Sequence, residues 1–580
     1  MCAMCVVMTT HHADLGDFDE ATLLVFDRKL HGGIASASSS HTQMTCAEVC
    51  VRLHESKELR WRLLLLFAFA IGALMISMGD IASDAKWHLL FWYSAFLIIT
   101  AQMSDTVEAF FLGEGETIVE AARYMLTGSA EAPSQVPRSQ MSREQVSKER
   151  AQVGFWTLMP SAFITWIFAK SIYNAAVLGG RFGILGGVAY AGWYTSFWSA
   201  GLVGYWMRTR QGVRSLPSAI EKVYGPAANL CFSILLLFRL WNEVWSNILV
   251  IGNFFGPSYS AAWWTAALIS ATVPATYVLM GGMRASLKSD VLQAALGLVF
   301  LFVILARVNQ EMGPEGSLSS NVGGGASAAG VFAWEPPNGW LPGGEWCLVA
   351  ALVQGFISYP FHDPVLTDRT FLSRPRTMLL SFIVGGAVSM TFIVLFSAVG
   401  IYACAIDVDA RQLTAPNSTH CSGAPTIVSA HLSGTFEAFM TLVMMTSSLS
   451  TLDSTFTSAA KLVGLEVCGW LRLPGDVRPA GVRGTLAATD PSVNTLHIAI
   501  GRIAILFLCF IGTIFLELGK ETDALKATTV SGTMVMGLGP PVYLAMLWKY
   551  NSKPGADDGW RKSPLAFMGS FVPGVFFGIS

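Results

Sequence analysis

The sequence contains little charge. Asp, Glu, Lys and Arg make up 13% of its 580 residues and 53% are hydrophobic, whereas a soluble domain carries about 25% charged residues. The 37 Lys and Arg are matched by 39 Asp and Glu, so the chain lacks the basic excess that attracts nucleic acid. The composition excludes a soluble enzyme and gives no reason to expect a nucleic-acid partner.

Cysteine pairs and catalytic groups are also sparse. Of ten cysteines, only Cys2 and Cys5 have the Cys-x-x-Cys spacing, and no second pair lies near them to complete a metal site. No nucleophile, base and oxyanion-donor set converges in the sequence. We therefore expect neither a cofactor nor enzymatic activity.

Long apolar runs are abundant. About a dozen runs of roughly 20 largely uncharged residues recur, each long enough to cross about 30 Å of hydrocarbon as a helix. Their continuity argues against a porin-type barrel, whose strands alternate in polarity. The runs predict an all-α polytopic membrane protein of about 12 to 13 spans. We expect a polar tail at 1–60, N-terminal helices and a cytoplasmic linker at 61–150, a core of apolar runs at 151–548 and a C-terminal segment with a possible further helix at 549–580.

The loops between the runs alternate in basic content. Arg208, Arg284 and Arg369 lie in the Lys- and Arg-rich set, which stays on the cytoplasmic side of a membrane. This orientation places loop 404–433 outside, where Asn417 begins an Asn-Ser-Thr glycosylation sequon. We expect a multi-pass protein of the plasma membrane, with the lipid bilayer as a partner.

Several charged residues interrupt the apolar runs. Lys170 lies in the run 153–176, and Arg239 and Glu243 lie in the run 228–253. Such a charge costs about 2.5 to 3.5 kcal/mol at the bilayer centre, so each needs a partner or a task. Lys170 either snorkels to the outer surface or faces a watery cavity with Glu243 and holds a charged or zwitterionic solute. Arg239 and Glu243, four residues apart, are alternatively a structural pair.

Hydroxyl groups are dense between residues 445 and 458, MTSSLSTLDSTFTS. Such side chains usually bond the carbonyl four residues earlier or a neighbouring helix, but this explanation does not account for their density. A hard alkali cation prefers oxygen ligands. Adjacent hydroxyls, together with carbonyls exposed at a break in another helix, are therefore a candidate sodium site.

Two prolines predict a helix break near residue 360. Pro360 and Pro364 each remove a helical hydrogen bond and push the preceding residue out of helical geometry. An interrupted helix beside a polar cavity is a device that transporters use to build solute sites. The alternative is a helix that ends at the cytoplasmic surface. His362 and Asp363 lie between the two prolines. This position favours a role at the helix break over a metal or acid–base site.

These residues resemble the sodium/solute symporter family, which includes sodium-coupled sugar, proline, choline and urea-type carriers. The segment 281–293, GGMRASLKSDVLQ, is similar to the family's Gly-Gly-Leu-x-Ala and Thr-Asp-x-x-Gln signature, with Ser289 in place of Thr. The segments 445–450 and 366–369 also resemble family segments. The resemblance covers about residues 150 to 548.

The resemblance implies that 151–548 is a ten-helix transport core, built from two inverted five-helix repeats of the LeuT-like type, with additional flanking helices outside it. The broken first and sixth helices of that core line a midplane site. It also implies Na⁺ as the coupling ion. The implied sodium ligands are the hydroxyls of two serines and the carbonyls of three residues, namely Ser447, Ser448, Met444, Ile164 and Ile167. Asp290 matches the signature carboxylate, which implies a role in ion release or gating; pairing with Arg284 or Lys288 is the alternative.

The chain departs from the family in its first core helix. Sugar and proline carriers place Asn or Asp where this chain has Trp166, and Lys170 follows one turn later. We expect a small polar solute, anionic or zwitterionic, with aromatic side chains bounding its apolar or cationic part. The candidate solute-binding residues are Trp166, Lys170, Asn174, Glu243, Tyr359, His362 and Asp363.

Sodium-coupled symport of such a solute is the predicted function. A urea-type carrier is one alternative. Another is a proton-coupled or sodium-independent carrier, in which the Lys170 ammonium replaces the coupling ion. A sensor that binds solute without moving it is the alternative from another class.

Overall fold

The computed structural model describes the chain in several stretches. These are residues 86–98, 153–312, 344–406, 423–432, 434–478, 495–518, 534–547 and 564–579, with short pieces at 484–486, 492–493 and 532. Every regular element in these stretches is a helix, as the sequence predicts. The predicted glycosylation site at Asn417 and the predicted span at 61–79 lie outside them.

The first half of the described chain contains the first predicted repeat. Its helices are α1 at 86–98, α2 at Phe155–Trp166, α3 at Ala169–Phe182, α4 at Ile184–Ala191, α5 at Ser196–Trp206, α6 at Leu216–Tyr224, α7 at Pro226–Phe255, α8 at Ala261–Leu279 and α9 at Gly281–Glu311. Here α2 and α3 form one broken span, α4 and α5 are joined by a short 3₁₀ segment into another, and α6 is a short connecting helix.

The second half repeats this order. Its helices are α10 at Gly344–Ile357, α11 at Pro364–Arg369, α12 at Pro375–Ile406, α13 at Ala424–Leu432, α14 at Gly434–Lys461, α15 at Cys468–Leu471, α16 at Thr495–Leu518, α17 at Gly539–Leu547 and α18 at Pro564–Ile579. The broken pair α10 and α11 comes five spans after the broken pair α2 and α3, which is the spacing that a five-helix repeat requires.

The first break falls between α2 and α3. The two helices meet at 59°, and Phe168 has extended backbone angles of φ −62° and ψ 148°. Neither Ile167 nor Phe168 is a helix breaker, so contacts with other helices hold the break open. The Tyr194 hydroxyl donates to the carbonyl of Trp166 at 2.9 Å, which satisfies a group that the interrupted helix leaves without a partner.

The second break lies where the prolines predict it. Helix α10 ends at Ile357, a 3₁₀ turn covers Tyr359–His362, and α11 begins at Pro364. The Asp363 carboxylate accepts a hydrogen bond from the Val365 amide at 2.9 Å and caps α11. Because Pro at the first helical position needs no amide partner, it suits this start.

Helices α8 and α9 are joined at Gly282. This residue has φ 60° and ψ −150°, a conformation that L side chains rarely adopt. The second glycine of the Gly-Gly pair in the signature segment therefore forms the turn between two consecutive spans. Ser286, Ser289 and Asp290, which follow it on α9, face α14.

The broken first span packs tightly on α12. A Cβ atom on Gly400 of α12 would overlap the carbonyl of Ala176 on α3, and one on Gly179 of α3 would overlap the carbonyl of Ser397 on α12. Five described helices are long and apolar enough to cross a membrane, and the bent pair α2 and α3 would make six. Helix α14 has the length, at 28 residues, but its many hydroxyl side chains lower its hydropathy.

Candidate functional site

A buried charge network joins the two breaks. The Lys170 ammonium, on α3, lies 2.6 Å from a Glu243 carboxylate oxygen on α7, and Arg239 pairs with the same oxygen from one turn earlier. Lys170 is 1% exposed and Glu243 is fully buried. The snorkelling interpretation of Lys170 is therefore wrong, because its ammonium points into the protein and not toward the outer surface.

Arg239 extends the network to the second break. Its guanidinium donates to the Asp363 carboxylate at 3.1 Å, and Asp363 is the residue that caps α11. Asn247 adds a hydrogen bond to the other Glu243 oxygen at 2.9 Å. Two cationic and two anionic groups therefore form one buried chain, Lys170–Glu243–Arg239–Asp363, whose charges balance.

Aromatic side chains form a wall beside this network. Trp166, at the end of α2, packs edge-on against Tyr194, Phe197 and Tyr359, with ring centroids 5.3 to 5.8 Å apart. The Phe168 ring lies beneath the Lys170 ammonium, 5.2 Å from ring centroid to nitrogen. The indole nitrogen of Trp166 is buried and has no hydrogen-bond partner among the described residues. Its N–H group can therefore donate to a ligand that binds at this wall.

The remaining predicted solute residues lie near the same wall. Tyr359 stacks on Trp193 at 5.7 Å. The His362 Nδ1 atom contacts the Tyr359 carbonyl, while Nε2 is buried without a partner in the described part of the chain. Asn174, one turn after Lys170, donates to the Tyr190 hydroxyl at 3.4 Å.

Two adjacent serines on α14 differ from their neighbours. Thr451 and Thr455 on this helix each donate to the carbonyl four residues earlier, at 2.8 Å, as membrane-helix hydroxyls usually do. The hydroxyls of Ser447 and Ser448 are fully buried and find no partner within the stretches that the structure describes. Leaving a buried hydroxyl without a hydrogen bond costs about 1 to 3 kcal/mol, so this pair is suited to receive a ligand.

These serines lie close to the first break. Thr451, one turn after Ser447, donates across to the carbonyl of Thr165 at 3.3 Å. Thr165 adjoins Ile164, whose carbonyl accepts the Ile167 amide at 3.0 Å and ends the regular hydrogen bonding of α2. The structure therefore brings α14 and the break in α2 together. Met444, 1% exposed, lies one turn before the serines.

A second charged cluster includes α14 residues that lie one to two turns after Ser447 and Ser448. Asp290, on α9, accepts hydrogen bonds from Ser161 and Ser450, both at 2.6 Å, and the Arg369 guanidinium lies 3.2 Å away. Arg369 ends α11, after the second break. The described cationic partner of Asp290 is therefore Arg369, a residue that the sequence does not suggest for it.

Asp453 lies beside this pair but has no direct cationic contact among the described residues. One carboxylate oxygen accepts from the Tyr277 hydroxyl at 2.5 Å and from Ser289 at 3.1 Å. The other accepts from Ser286 at 2.7 Å and from Ser454 at 2.9 Å. Sequence reasoning missed this site; the one available signal was an acidic residue within the hydroxyl-rich segment.

Known transporters resemble this chain in sequence. A model of the sodium:solute symporter family matches residues 151–468. The chain is 22% identical over 466 residues to sodium/glucose cotransporter 1 of Oryctolagus cuniculus, a match over 71% of this chain and 66% of that protein. It thus spans just under two thirds of the length of this curated relative.

Solved structures have a similar fold. A Na⁺-coupled sialic acid symporter, solved substrate-bound and outward-open, matches with a TM-score of 0.57 and 13% identity, over 85% of this chain and 97% of that one. A manganese transporter variant from Eremococcus coleocola matches over 78% of this chain and 89% of that one, with 11% identity and a lower TM-score of 0.45. The first likeness confirms the predicted LeuT-like helical fold. Because the family model covers more than half of the chain, this multi-pass membrane protein belongs to the sodium:solute symporter family.

Proposed function

We propose that the protein is a sodium-coupled symporter of a small polar solute. The observation that carries the proposal is the pair of buried hydroxyls of Ser447 and Ser448, which have no partner among the described residues and lie on the helix that contacts the break in α2. The proposed ligands of the ion are all oxygen atoms: the two serine hydroxyls and the carbonyls of Met444, Ile164 and Ile167. That set fits a hard alkali cation and offers no nitrogen or sulfur to a softer metal.

Binding of Na⁺ here would join α14 to the broken first span. Because solute would bind beside the same break, at Trp166 and Lys170, the ion and the solute stabilise the same arrangement of helices. Linkage then requires that each tightens the binding of the other by the same factor. Rocking of one helix bundle against the other would release both into the cytoplasm, where the low Na⁺ concentration favours dissociation.

The test is removal of the two hydroxyls. We expect Ser447→Ala with Ser448→Ala to weaken binding of radioactive Na⁺ to the purified protein at least tenfold, equivalent to about 1.4 kcal/mol, while the protein stays folded. Ser458→Ala is the matched control, since Ser458 is a buried hydroxyl on the same helix that also lacks a partner among the described residues, about three turns away. Unchanged Na⁺ affinity in the double variant would refute the assignment.

We further propose that the solute is zwitterionic or neutral. The names of the relatives give glucose and sialic acid as solutes of those proteins. In this chain, the charges of the two cations and two anions at the breaks already balance. A zwitterion can exchange ionic partners with this network and leave the total charge unchanged. The balance therefore favours a zwitterion over a net anion. Trp166 Nε1 and His362 Nε2, buried without partners in the described stretches, supply polar contacts.

The solute proposal is tested by uptake into proteoliposomes with and without a Na⁺ gradient. Proline and betaine represent zwitterions, glucose and urea neutral solutes, and lactate the anions. We expect Na⁺-dependent uptake of a zwitterion or a neutral solute, and uptake of lactate alone would contradict the charge argument. Uptake that ignores the gradient would favour the proton-coupled or sodium-independent carrier.

The sensor alternative makes a different prediction. A protein that binds solute without moving it shows no exchange of labelled for unlabelled solute across the membrane. We expect rapid exchange in proteoliposomes loaded with a bound solute, because the broken helices of this fold serve alternating access. Solute binding without exchange would favour the sensor.

A further inference from the structure

The cluster around Asp453 has an unbalanced charge. Asp290 and Asp453 are both fully buried, as is Arg369. The guanidinium of Arg369 contacts Asp290 directly at 3.2 Å but reaches Asp453 only through Ser454, to whose hydroxyl it donates at 2.6 Å. Within the described part of the chain, two carboxylates therefore share one cation, and Asp453 is the carboxylate without a direct ionic contact.

Hydroxyl groups surround Asp453 at hydrogen-bond distance. Its four neighbours, Tyr277, Ser286, Ser289 and Ser454, lie 2.5 to 3.1 Å from its oxygens, and Ser286 and Ser454 are 3.2 Å from each other. A metal ion would need these oxygens to move apart, whereas a proton needs only that one hydroxyl turn from donor to acceptor. The closed packing therefore favours a proton as the neutralising cation.

Asp453 also holds three spans together. Tyr277 lies near the end of α8, Ser286 and Ser289 lie beyond the Gly282 turn on α9, and Asp453 itself lies on α14. Three other titratable groups interact electrostatically with Asp453: Arg369 from α11, Asp290 from α9 and Tyr93 from α1. A change in the charge of Asp453 thus acts on the helices that meet at this end of the core.

The distance to the proposed Na⁺ site is short. Asp453 follows Ser447 by six residues, which is about 9 Å along an α-helix. A negative charge at that distance, partly screened by the protein, strengthens binding of a monovalent cation on the order of tenfold. Neutralising Asp453 removes this attraction.

We propose that Asp453 is a proton-binding site and that protonation of its carboxylate weakens Na⁺ binding at Ser447 and Ser448. The proton comes from water, forms an O–H bond with one carboxylate oxygen and returns to water on release. This goes beyond the sodium coupling proposed above, although its effect on Na⁺ rests on that function. The proton site itself depends only on the buried, unbalanced cluster, so it can be tested apart from Na⁺.

The proton site is tested directly by infrared difference spectroscopy on the reconstituted protein without Na⁺, from about pH 5 to about pH 9, the range over which a buried carboxyl group titrates. We expect a protonated-carboxyl C=O band that appears on acidification and is absent from Asp453→Asn. Asp476→Asn is the control, because hydrogen bonding to Arg478 holds the pKa of Asp476 below its ordinary value, outside the range. An undiminished band in Asp453→Asn would overturn the proposal.

A second variant covers the case in which Asp453→Asn fails to fold. Tyr277→Phe removes one hydroxyl donor from the carboxylate and leaves the carboxyl group in place. Since a lost donor disfavours the ionised form, we expect the band to appear at a higher pH than in the unsubstituted protein. Coincident titration curves would overturn the proposal, because a carboxylate with a merely structural role gives no shift.

Binding of radioactive Na⁺ as a function of pH tests the coupling. We expect Na⁺ affinity to fall about tenfold on acidification, as the charge argument requires, and Asp453→Asn to bind Na⁺ weakly at every pH. Na⁺ binding without pH dependence would refute the coupling. If the protein binds no Na⁺ at any pH, the proposed sodium function fails, and the infrared band still decides whether Asp453 takes up a proton.

Discussion

The core of this protein contains two buried clusters of charged residues, and the clusters differ in net charge. At the breaks, Lys170 and Arg239 pair with Glu243 and Asp363 in one linear chain of ionic contacts whose charges balance. In the second cluster, which contacts α14, the carboxylates of Asp290 and Asp453 share Arg369 as the one described cation. Both clusters are removed from water, so the difference lies in their net charge and not in their exposure.

The comparison indicates that the two clusters favour different ligands. A balanced cluster can exchange partners with a zwitterion without changing its total charge, while a cluster with one surplus anion favours a cation. Because a buried charge that has no counterpart costs several kcal/mol, each cluster limits what can bind beside it. The proposed Na⁺ site at Ser447 and Ser448 lies on α14, one to two turns before the residues of that helix that belong to the second cluster or contact it.

The largest expected effect comes from unbalancing the cluster at the breaks. Glu243→Gln leaves Lys170 and Arg239 facing one another with Asp363 as the remaining anion. Removing one partner of a buried ion pair costs about 3 to 5 kcal/mol, so we expect little folded protein. The measurement is the fraction that stays monodisperse in size-exclusion chromatography after heating.

A compensating variant sharpens this test. Glu243→Gln combined with Lys170→Met removes one cation with the anion and leaves the Arg239–Asp363 pair, which lies at 3.1 Å. We expect the double variant to recover most of the heat stability that Glu243→Gln loses. Equal loss in both variants would mean that packing of the side chains, and not charge balance, holds the breaks together.

The sequence alone predicts one of the two breaks. Pro360 and Pro364 identify the second break because proline removes helical hydrogen bonds wherever it occurs. The first break has no such residue: Ile167 and Phe168 are ordinary helix formers, and hydrogen bonds from Tyr194 and Thr451 stabilise the open carbonyls. Only the family resemblance indicates that first break, since it depends on contacts distant in sequence.

An intermediate effect is expected from Arg369→Met. This variant leaves Asp290 and Asp453 without their shared cation, but the hydroxyls of Ser161, Ser450 and their neighbours remain. We expect a loss of about 3 kcal/mol, the low end for removal of one partner of a buried ion pair, because uptake of protons by the carboxylates can relieve the surplus charge. The folded variant should bind more protons than the unfolded chain, so its stability rises as pH falls.

Heat stability measured at several pH values checks this expectation. Stability of Arg369→Met that falls on acidification would contradict it, because the folded state would then bind fewer protons than the unfolded chain. Glu243→Gln provides the contrast: its surplus charge is positive, and uptake of protons by carboxylates does not relieve it. Acid should therefore stabilise the Arg369→Met variant but not the Glu243→Gln variant.

The site was harder to predict than the fold. Apolar runs depend on composition, and the spans follow from them. The sequence places Lys170 and Glu243 at a common cavity in one of its interpretations, but it does not predict their direct pairing, because side chains 73 residues apart give no local signal. Asp453 was placed in a hydroxyl-rich segment, but its contacts with Tyr277 and Ser286 come from helices that only the fold brings together.

The smallest expected effect concerns the link between α14 and the first break. Thr451→Val keeps the side-chain shape and removes the hydrogen bond to the Thr165 carbonyl at 3.3 Å together with the one to Ser447 at 2.8 Å. Thr455→Val is the control, since the Thr455 hydroxyl donates to the carbonyl of Thr451 on its own helix. We expect Thr451→Val to cost about 1 kcal/mol more than the control and to weaken Na⁺ binding severalfold. Equal Na⁺ affinity in both variants would show that the cross-helix bond does not position the serines.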